Sequence, residues 1–224
     1  MLKKAVVLLS GGLDSAVTLF FALKKRYDCY CLTFDYGQRH KREIELAKRI
    51  AQNARLKIEV VELHLPWKGS SLVDKDIRLP LNRAMEEIST GVPSTYVPAR
   101  NTIFLSVAAS FAEAIGAWSI FIGAHSEDSS GYPDCRKDYL EAFKKVIKLG
   151  TKRGREGMLH LEFPLTGMAK KEIIELGREL GVPFELTSSC YNGEERPCEE
   201  CDSCILRAKG FKEAGIKDPL VCSE

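Results

Sequence analysis

The chain has 224 residues, of which 45% are apolar and 29% charged, with a formal net charge of +2. That length suits one α/β domain with a small appendage, and the apolar share is enough for a sizeable core. The near balance of charge excludes a basic nucleic-acid arm and a disordered charged tail, so any affinity for anions has to be local.

Residues 4–9 are short, apolar and rich in valine and leucine, which predicts a buried parallel strand. The apolar run 5–9 is too short for the core of a secretory signal, so a cytoplasmic location is expected. Gly11 and Gly12 follow, then Asp14 and Ser15, then helical character over 16–24. Residues 29–34 read as a second strand, 38–54 as a helix with Ile44, Ala47, Ile50, Ala51 and Ala54 along one face, and 57–63 as a third strand. This βαβαβ spacing predicts a parallel sheet with right-handed crossovers and helices on both faces, a single Rossmann-like unit.

Residues 64–98 carry four prolines and read as an insertion with a short helix over 81–88. A long helix is expected over 100–115 and a fourth strand over 118–123. The stretch 103–124 contains one charged residue, Glu113, and has the length of a bilayer span. It splits at Gly116 into a helix-like and a strand-like half, so a buried helix feeding a buried strand explains it better. A polar loop over 125–134, a helix over 139–149, a fifth strand over 159–163 and a helix over 169–180 complete the domain, set at residues 1–186. Residues 187–224 form a cysteine-rich tail packed on it. Four of the eight cysteines crowd between positions 190 and 204, which in a cytosolic setting points to metal before disulfide.

The string Ser10-Gly11-Gly12-Leu13-Asp14-Ser15 lies between a buried strand and a helix. Amides at a helix start are unsatisfied donors with partial positive charge, and glycines let the backbone approach a phosphate. Ser10 and Ser15 add hydroxyls; Asp14 suits the site if it orients the loop or binds Mg²⁺. The plain alternative is an ordinary strand-to-helix turn. Neither GxxxxGK[ST] nor GxGxxG is present, which disfavours γ-phosphate transfer and dinucleotide binding.

SGGLDS resembles the SGGxDS signature of the PP-loop ATP pyrophosphatases. Further strings resemble one branch of that superfamily, the 7-cyano-7-deazaguanine synthases: Asp35-Tyr36-Gly37-Gln38-Arg39-His40, Val97-Pro98-Ala99-Arg100-Asn101, Gly131-Tyr132-Pro133-Asp134-Cys135-Arg136, Pro164-Leu165 with Lys170, and the tail cysteines. The likeness runs from about residue 5 to 218. It implies an adenine nucleotide alpha hydrolase-like fold, and an ATP site over Leu8, Leu9, Ser10, Gly11, Gly12, Leu13, Asp14, Ser15, Ala16, Val17 and Thr18, with the adenine near residues 33–36. It also implies conversion of 7-carboxy-7-deazaguanine and ammonia to 7-cyano-7-deazaguanine, with ATP and Mg²⁺, in queuosine or archaeosine tRNA modification, and a homodimer with no direct nucleic-acid or membrane partner. Asp14, Ser15, Arg100 and Lys170 are the candidate catalytic residues. Cations at a helix start are mildly unfavourable, which favours a functional role for Arg100 and Lys170 over a solvated one.

For the deazapurine, Asp134 can accept from its donor-rich edge, Arg136 can pair with a carboxylate or phosphate, and Tyr132 offers a flat face. The alternative is a turn in which Asp134 caps the following helix. Cys190, Cys198, Cys201 and Cys204 can close a tetrahedral, structural Zn²⁺ site, its charge offset by Arg196 or backbone amides. Glu199 stands where the family has glycine, which bears on the local turn. Cys29 and Cys31 are expected in the core, Cys135 near the substrate and Cys222 as a tail thiol. Arg39 and His40 stay open, and His64, His125 and His160 carry no clear signal. Two readings compete: another PP-loop enzyme, such as a tRNA thiolase or NAD synthetase, and a zinc module that binds nucleic acid, which the near-neutral charge disfavours.

Overall fold

The computed structural model describes residues 2–39, 41–88, 90–125, 131–194 and 196–221; His40 and Cys222 lie outside them. Five strands are described: β1 (Lys4–Leu8), β2 (Asp28–Asp35), β3 (Lys57–Glu62), β4 (Ser119–Phe121) and β5 (His160–Glu162). They form one sheet in the order β3-β2-β1-β4-β5, every pair parallel. The helices are α1 (Leu13–Lys24), α2 (Arg42–Asn53), α3 (Met85–Ile88), α4 (Arg100–Ile115), α5 (Lys137–Gly150), α6 (Lys152–Arg155), α7 (Lys170–Glu179) and α8 (Asp202–Glu213). The expected α/β fold is therefore present, with boundaries shifted by a few residues and with α6 and α8 added.

Strand β1 divides the core. Ala5 and Val7 point to a layer that holds Ala16, Val17, Ala47, Ile50, Ile173 and Ile174 from α1, α2 and α7. Val6 and Leu8 point to the opposite layer, with Leu105, Ala108, Leu140, Phe143 and Ile147 from α4 and α5. A central strand buried on both faces has no polar side to present, which is why residues 4–9 are an unbroken apolar run. The 103–124 stretch resolves as buried α4 followed by β4, turning at Gly116, and among the described residues no helix is long and apolar enough to cross a membrane.

The tail shares the domain's core. Phe211 of α8 is buried with Phe184, Ile173 and Val17, its ring edge-on to Phe184. Arg207, 3% exposed, donates to both oxygens of Asp218 at 2.7 and 2.9 Å and to the hydroxyl of Thr187 at 2.9 Å. The insertion grips the tail from the other side: the amide of Asn82 donates to Glu200 O, and Arg83 pairs with the buried Asp202. The cut at residues 186/187 thus marks a change in sequence character within one packed body.

Removing one partner of a buried pair leaves an uncompensated charge, at a cost of about 3–5 kcal/mol. Asp218→Ala is expected to lose about 3 kcal/mol in urea unfolding, because Arg207 then stays buried; a loss under about 1 kcal/mol would show that the pair is not what holds α8.

Candidate active site

The carboxyl ends of β1, β2 and β4 meet at a cleft, where the connection leaving β1 runs to β2 and the one leaving β4 runs the opposite way to β5; such switch points are where α/β sheets bind ligands. The cleft has two adjoining lobes of about 260 and 160 Å³. The larger is lined by Leu8 to Ser10 and Gly12 to Ser15, by Leu32, Thr33, Phe34 and Tyr36 from the end of β2, and by Leu72 and Phe104. Phe34 and Phe104 stack at 4.0 Å, giving this lobe an apolar, flat-sided character. The smaller holds His125, Lys170, Leu206 and Arg207. Asp14, Arg100, Tyr132, Cys135, Ser189, Tyr191 and Ser203 line both.

The glycine loop has the form its sequence predicts. Gly11 has φ +82°, and a side chain there would strike Glu43 O at the start of α2. Gly12 caps α1 without any side-chain bond to its first amides, and Gly12 to Ser15 line the larger lobe. Ser10 and Ser15 spend their hydroxyls within the loop: Ser15 Oγ receives the Ser10 amide and hydroxyl, each at 3.1 Å, and lies 2.9 Å from Gly12 O. Their role in this geometry is to set the loop's shape. Of the expected ATP residues, Ala16, Val17 and Thr18 do not reach the cleft; they are fully buried in α1 behind the loop. Gly123, beyond β4, packs so closely that a side chain would come within 2.8 Å of Asp14 O.

Asp14 meets Lys170, whose Nζ lies 2.8 and 3.0 Å from its two oxygens. Burial alone would raise the Asp14 carboxyl, but the charge of Lys170 holds it well below the usual carboxylate range. His125 Nε2 is 2.9 Å from Lys170 Nζ and 3.2 Å from Asp14 Oδ2. Arg100, at the start of α4, donates to the hydroxyl of Tyr36 at 3.0 Å, with its guanidinium over the rings of Tyr36 and Phe104.

The GYPDCR string splits. Tyr132 is buried, donates to Thr95 Oγ1 at 2.7 Å and lines both lobes. Asp134 does not line either lobe; its Oδ2 accepts the amide of Asn101 at 2.9 Å. It therefore acts as a cap, though of α4 and not of the helix that follows it. Arg136 stands on the surface, two-thirds exposed, 3.4 Å from Asp138, because the chain turns outward into α5 there. Cys135 does line the cleft, with its sulfur 3.2 Å from Asn101 Nδ2; burial pushes its thiol up to about 12, so it is not a ready nucleophile. Cys29 and Cys31 are core residues of β2. Arg39 ties the start of α2 to the insertion through Asp74 O and Ile77 O.

The tail cysteines Cys190, Cys198, Cys201 and Cys204 converge, all four sulfurs lying within 4.8 Å of one another. Thiolates around a tetrahedral ion with bonds of about 2.3 Å sit roughly 3.8 Å apart, so the set fits a metal ion. The amides of Tyr191, Cys198 and Cys201 point at Cys201, Cys190 and Cys198 sulfurs at 3.4–3.5 Å, donors that would offset the charge of bound thiolates. Arg196 is exposed. Glu199 has φ +62°, which explains why glycine suits that position.

The residues that sequence reading passed over are His125, Ser189, Tyr191 and Ser203. His125 follows Gly123-Ala124 at the carboxyl end of the strand beside β1, and that position was its available signal. The other three are placed by the cysteine cluster: Ser189 and Tyr191 adjoin Cys190, and Ser203 lies between Cys201 and Cys204.

Comparison with known proteins matches residues 4–215 to the family described as queuosine biosynthesis protein QueC. A 7-cyano-7-deazaguanine synthase of Trichodesmium erythraeum is 51% identical over 97% of this chain and 100% of its own length. One from Thermoplasma acidophilum is 50% identical over 97% of this chain and 91% of its own. Among solved structures, a 4-thiouridine synthetase in complex with RNA and bound ATP superposes with a TM-score of 0.51 at 21% identity, over 94% of this chain and 53% of that one, a likeness of fold.

Cys201→Ala should lose the bound metal, read as metal per chain by elemental analysis; full retention would refute the ligand set. A side chain in the left-handed region costs about 1–2 kcal/mol, so Glu199→Gly is expected to raise the thermal midpoint, and a lowered midpoint would count against strain at that turn.

Proposed function

This chain belongs to the QueC family of queuosine biosynthesis proteins, and on that premise we propose that it acts as a 7-cyano-7-deazaguanine synthase that activates 7-carboxy-7-deazaguanine with ATP. The observation that carries the reading is the pairing, in one cleft, of an anion-binding loop at the start of α1 with the cations Arg100 and Lys170. The flat apolar lobe at the end of β2 suits the adenine, and the amides of Leu13, Asp14 and Ser15 suit the pyrophosphate. Arg100 and Lys170 then face the charge that develops at the α-phosphorus. The smaller lobe, walled by Tyr132, Tyr191, Ser189 and Ser203, is left for the deazapurine.

A carboxylate resists attack because its leaving group would be oxide. Transfer of AMP to the carboxylate oxygen releases pyrophosphate and makes AMP the leaving group. Ammonia attacks the carbonyl carbon, AMP departs and a proton is lost, giving the amide. A second AMP transfer, to the amide oxygen, releases a second pyrophosphate; loss of AMP and the remaining nitrogen-bound protons gives the nitrile. Both transfers need the same approach of oxygen to α-phosphorus, so one cleft serves both. Mg²⁺ accompanying ATP would offset the triphosphate charge. The four thiols suit Zn²⁺, with no position left for water, and hence a structural role. The near-balanced charge supports a small-molecule substrate over RNA, and family resemblance supports a homodimer.

Incubation with ATP, Mg²⁺, ammonia and the carboxy-deazaguanine should yield two AMP and two pyrophosphate per nitrile by mass spectrometry. Asp14→Ala and Lys170→Ala should each lower turnover by at least about 100-fold. AMP formation without nitrile would remove the substrate assignment, and wild-type rates in both variants would remove the loop and its lysine from the mechanism.

A further inference from the structure

Lysine is a compact charge on a flexible stem, so holding one in a fixed direction needs several partners. Three acceptor atoms stand within 3.0 Å of Lys170 Nζ: Asp14 Oδ1, Asp14 Oδ2 and His125 Nε2. They come from two separate elements, α1 and the segment beyond β4, while Lys170 itself opens α7. An ammonium can only donate, so its 2.9 Å approach requires an unprotonated Nε2. The 3.2 Å between His125 Nε2 and Asp14 Oδ2 is then a separation of two acceptors drawn to one cation. His125 is buried at the wall of the smaller lobe, and its Nδ1 has no hydrogen-bond partner among the described residues.

We propose that His125 is a positioning residue for the reaction. Asp14 holds the ammonium from the side of α1. Nε2 adds a contact from the segment beyond β4 that steadies it at the wall of the smaller lobe, so that Lys170 faces the reacting carboxylate and α-phosphate without reorienting at each AMP transfer. The inference rests on the adenylation reading above, in which Lys170 is a catalytic cation.

Three variants test it: His125→Ala, His125→Gln, whose amide oxygen reaches the place of Nε2, and His125→Asn, whose amide does not. Misplacement of a catalytic group by about 1 Å costs about 100-fold, so His125→Ala is expected to lower kcat by about that factor with the KM for ATP within about twofold. His125→Gln should recover to within about tenfold of wild type, and His125→Asn should not. Unchanged kcat in His125→Ala, or His125→Gln as slow as His125→Ala at the same thermal midpoint, overturns the proposal. A second readout needs no turnover: side-chain ¹⁵N NMR of the resting protein, assigned by difference from His125→Gln. It should show His125 protonated on Nδ1 and bare at Nε2; a proton on Nε2 overturns the proposal. If the wild type forms no nitrile, the functional reading fails while the tautomer still reports on the Lys170 contact.

Discussion

The ion cluster of Asp14, Lys170 and His125 joins residues up to 156 positions apart in the chain, and it exists only because the sheet brings their elements together. Asp14 lies in the first turn of α1, so its place follows from β1 and the tight turn at Gly11 and Gly12. Lys170 opens α7, which packs on α1 through Ile173 and Ile174. His125 arrives only because β4 pairs with β1 on the side opposite β2. An isolated carboxylate or ammonium at this depth would carry a large desolvation penalty; together, each offsets the other's. The cleft therefore acquires a fixed cation whose position is set by the fold, with little freedom left to the side chain.

The cysteine tail extends the same logic to the outer wall. The amide of Ser188 donates to Gly11 O at 3.0 Å, so the tail docks on the back of the loop itself. Tyr191 presents its ring to both lobes while its amide points at Cys201 sulfur. Ser203, between two cysteines, reaches the same cavity. A metal held by the four sulfurs would thus fix, through one or two residues of chain, three groups of the wall opposite the loop. That gives a closed metal site a bearing on substrate fit without any part in the chemistry. Metal binding and completion of the cleft are coupled in such a design, because a preformed set of four thiolates has no existence in the unfolded chain.

The strands and long helices were legible in the sequence because burial on both faces, or along one stripe, leaves an apolar pattern: residues 4–9 and 100–115 are cases. The loop was legible because few residue types permit its geometry. Helix α8 was not, since its buried face runs through Cys204, Arg207, Gly210 and Phe211, and only one of these reads as a core residue. Arg207 is buried because Asp218, Thr187 and Phe184 O surround it, and no local pattern announces partners that distant. Arg136 differs in the opposite sense, standing exposed beside Asp138. Its residue type suits an anion, but whether a side chain faces the cleft depends on the turn after Cys135, which sequence does not fix. Asp134 was read as either a contact or a cap, and the cap is realised on a helix 33 residues earlier.

That cap bears on Arg100. Helix α4 begins from Ala99, which has φ +52°, in the left-handed region that disfavours a side chain by about 1–2 kcal/mol. Nothing in the intrinsic preference of alanine would hold the chain there. Two contacts do: the Tyr96 hydroxyl accepts the Ala99 amide at 2.9 Å, and Asp134 accepts the Asn101 amide at the same distance. They bracket Arg100 on both sides in sequence and fix the direction in which its side chain leaves the helix, over Tyr36 and Phe104 and into the cleft. A relaxed start to α4 would aim residue 100 elsewhere. The strain at Ala99 is thus the cost of delivering a cation to the boundary of the two lobes, and the burial of Asp134, which raises its carboxyl, is part of the same cost. Asp134 bears on Arg100 through the start of α4, much as Asp14 bears on Lys170 through its carboxylate.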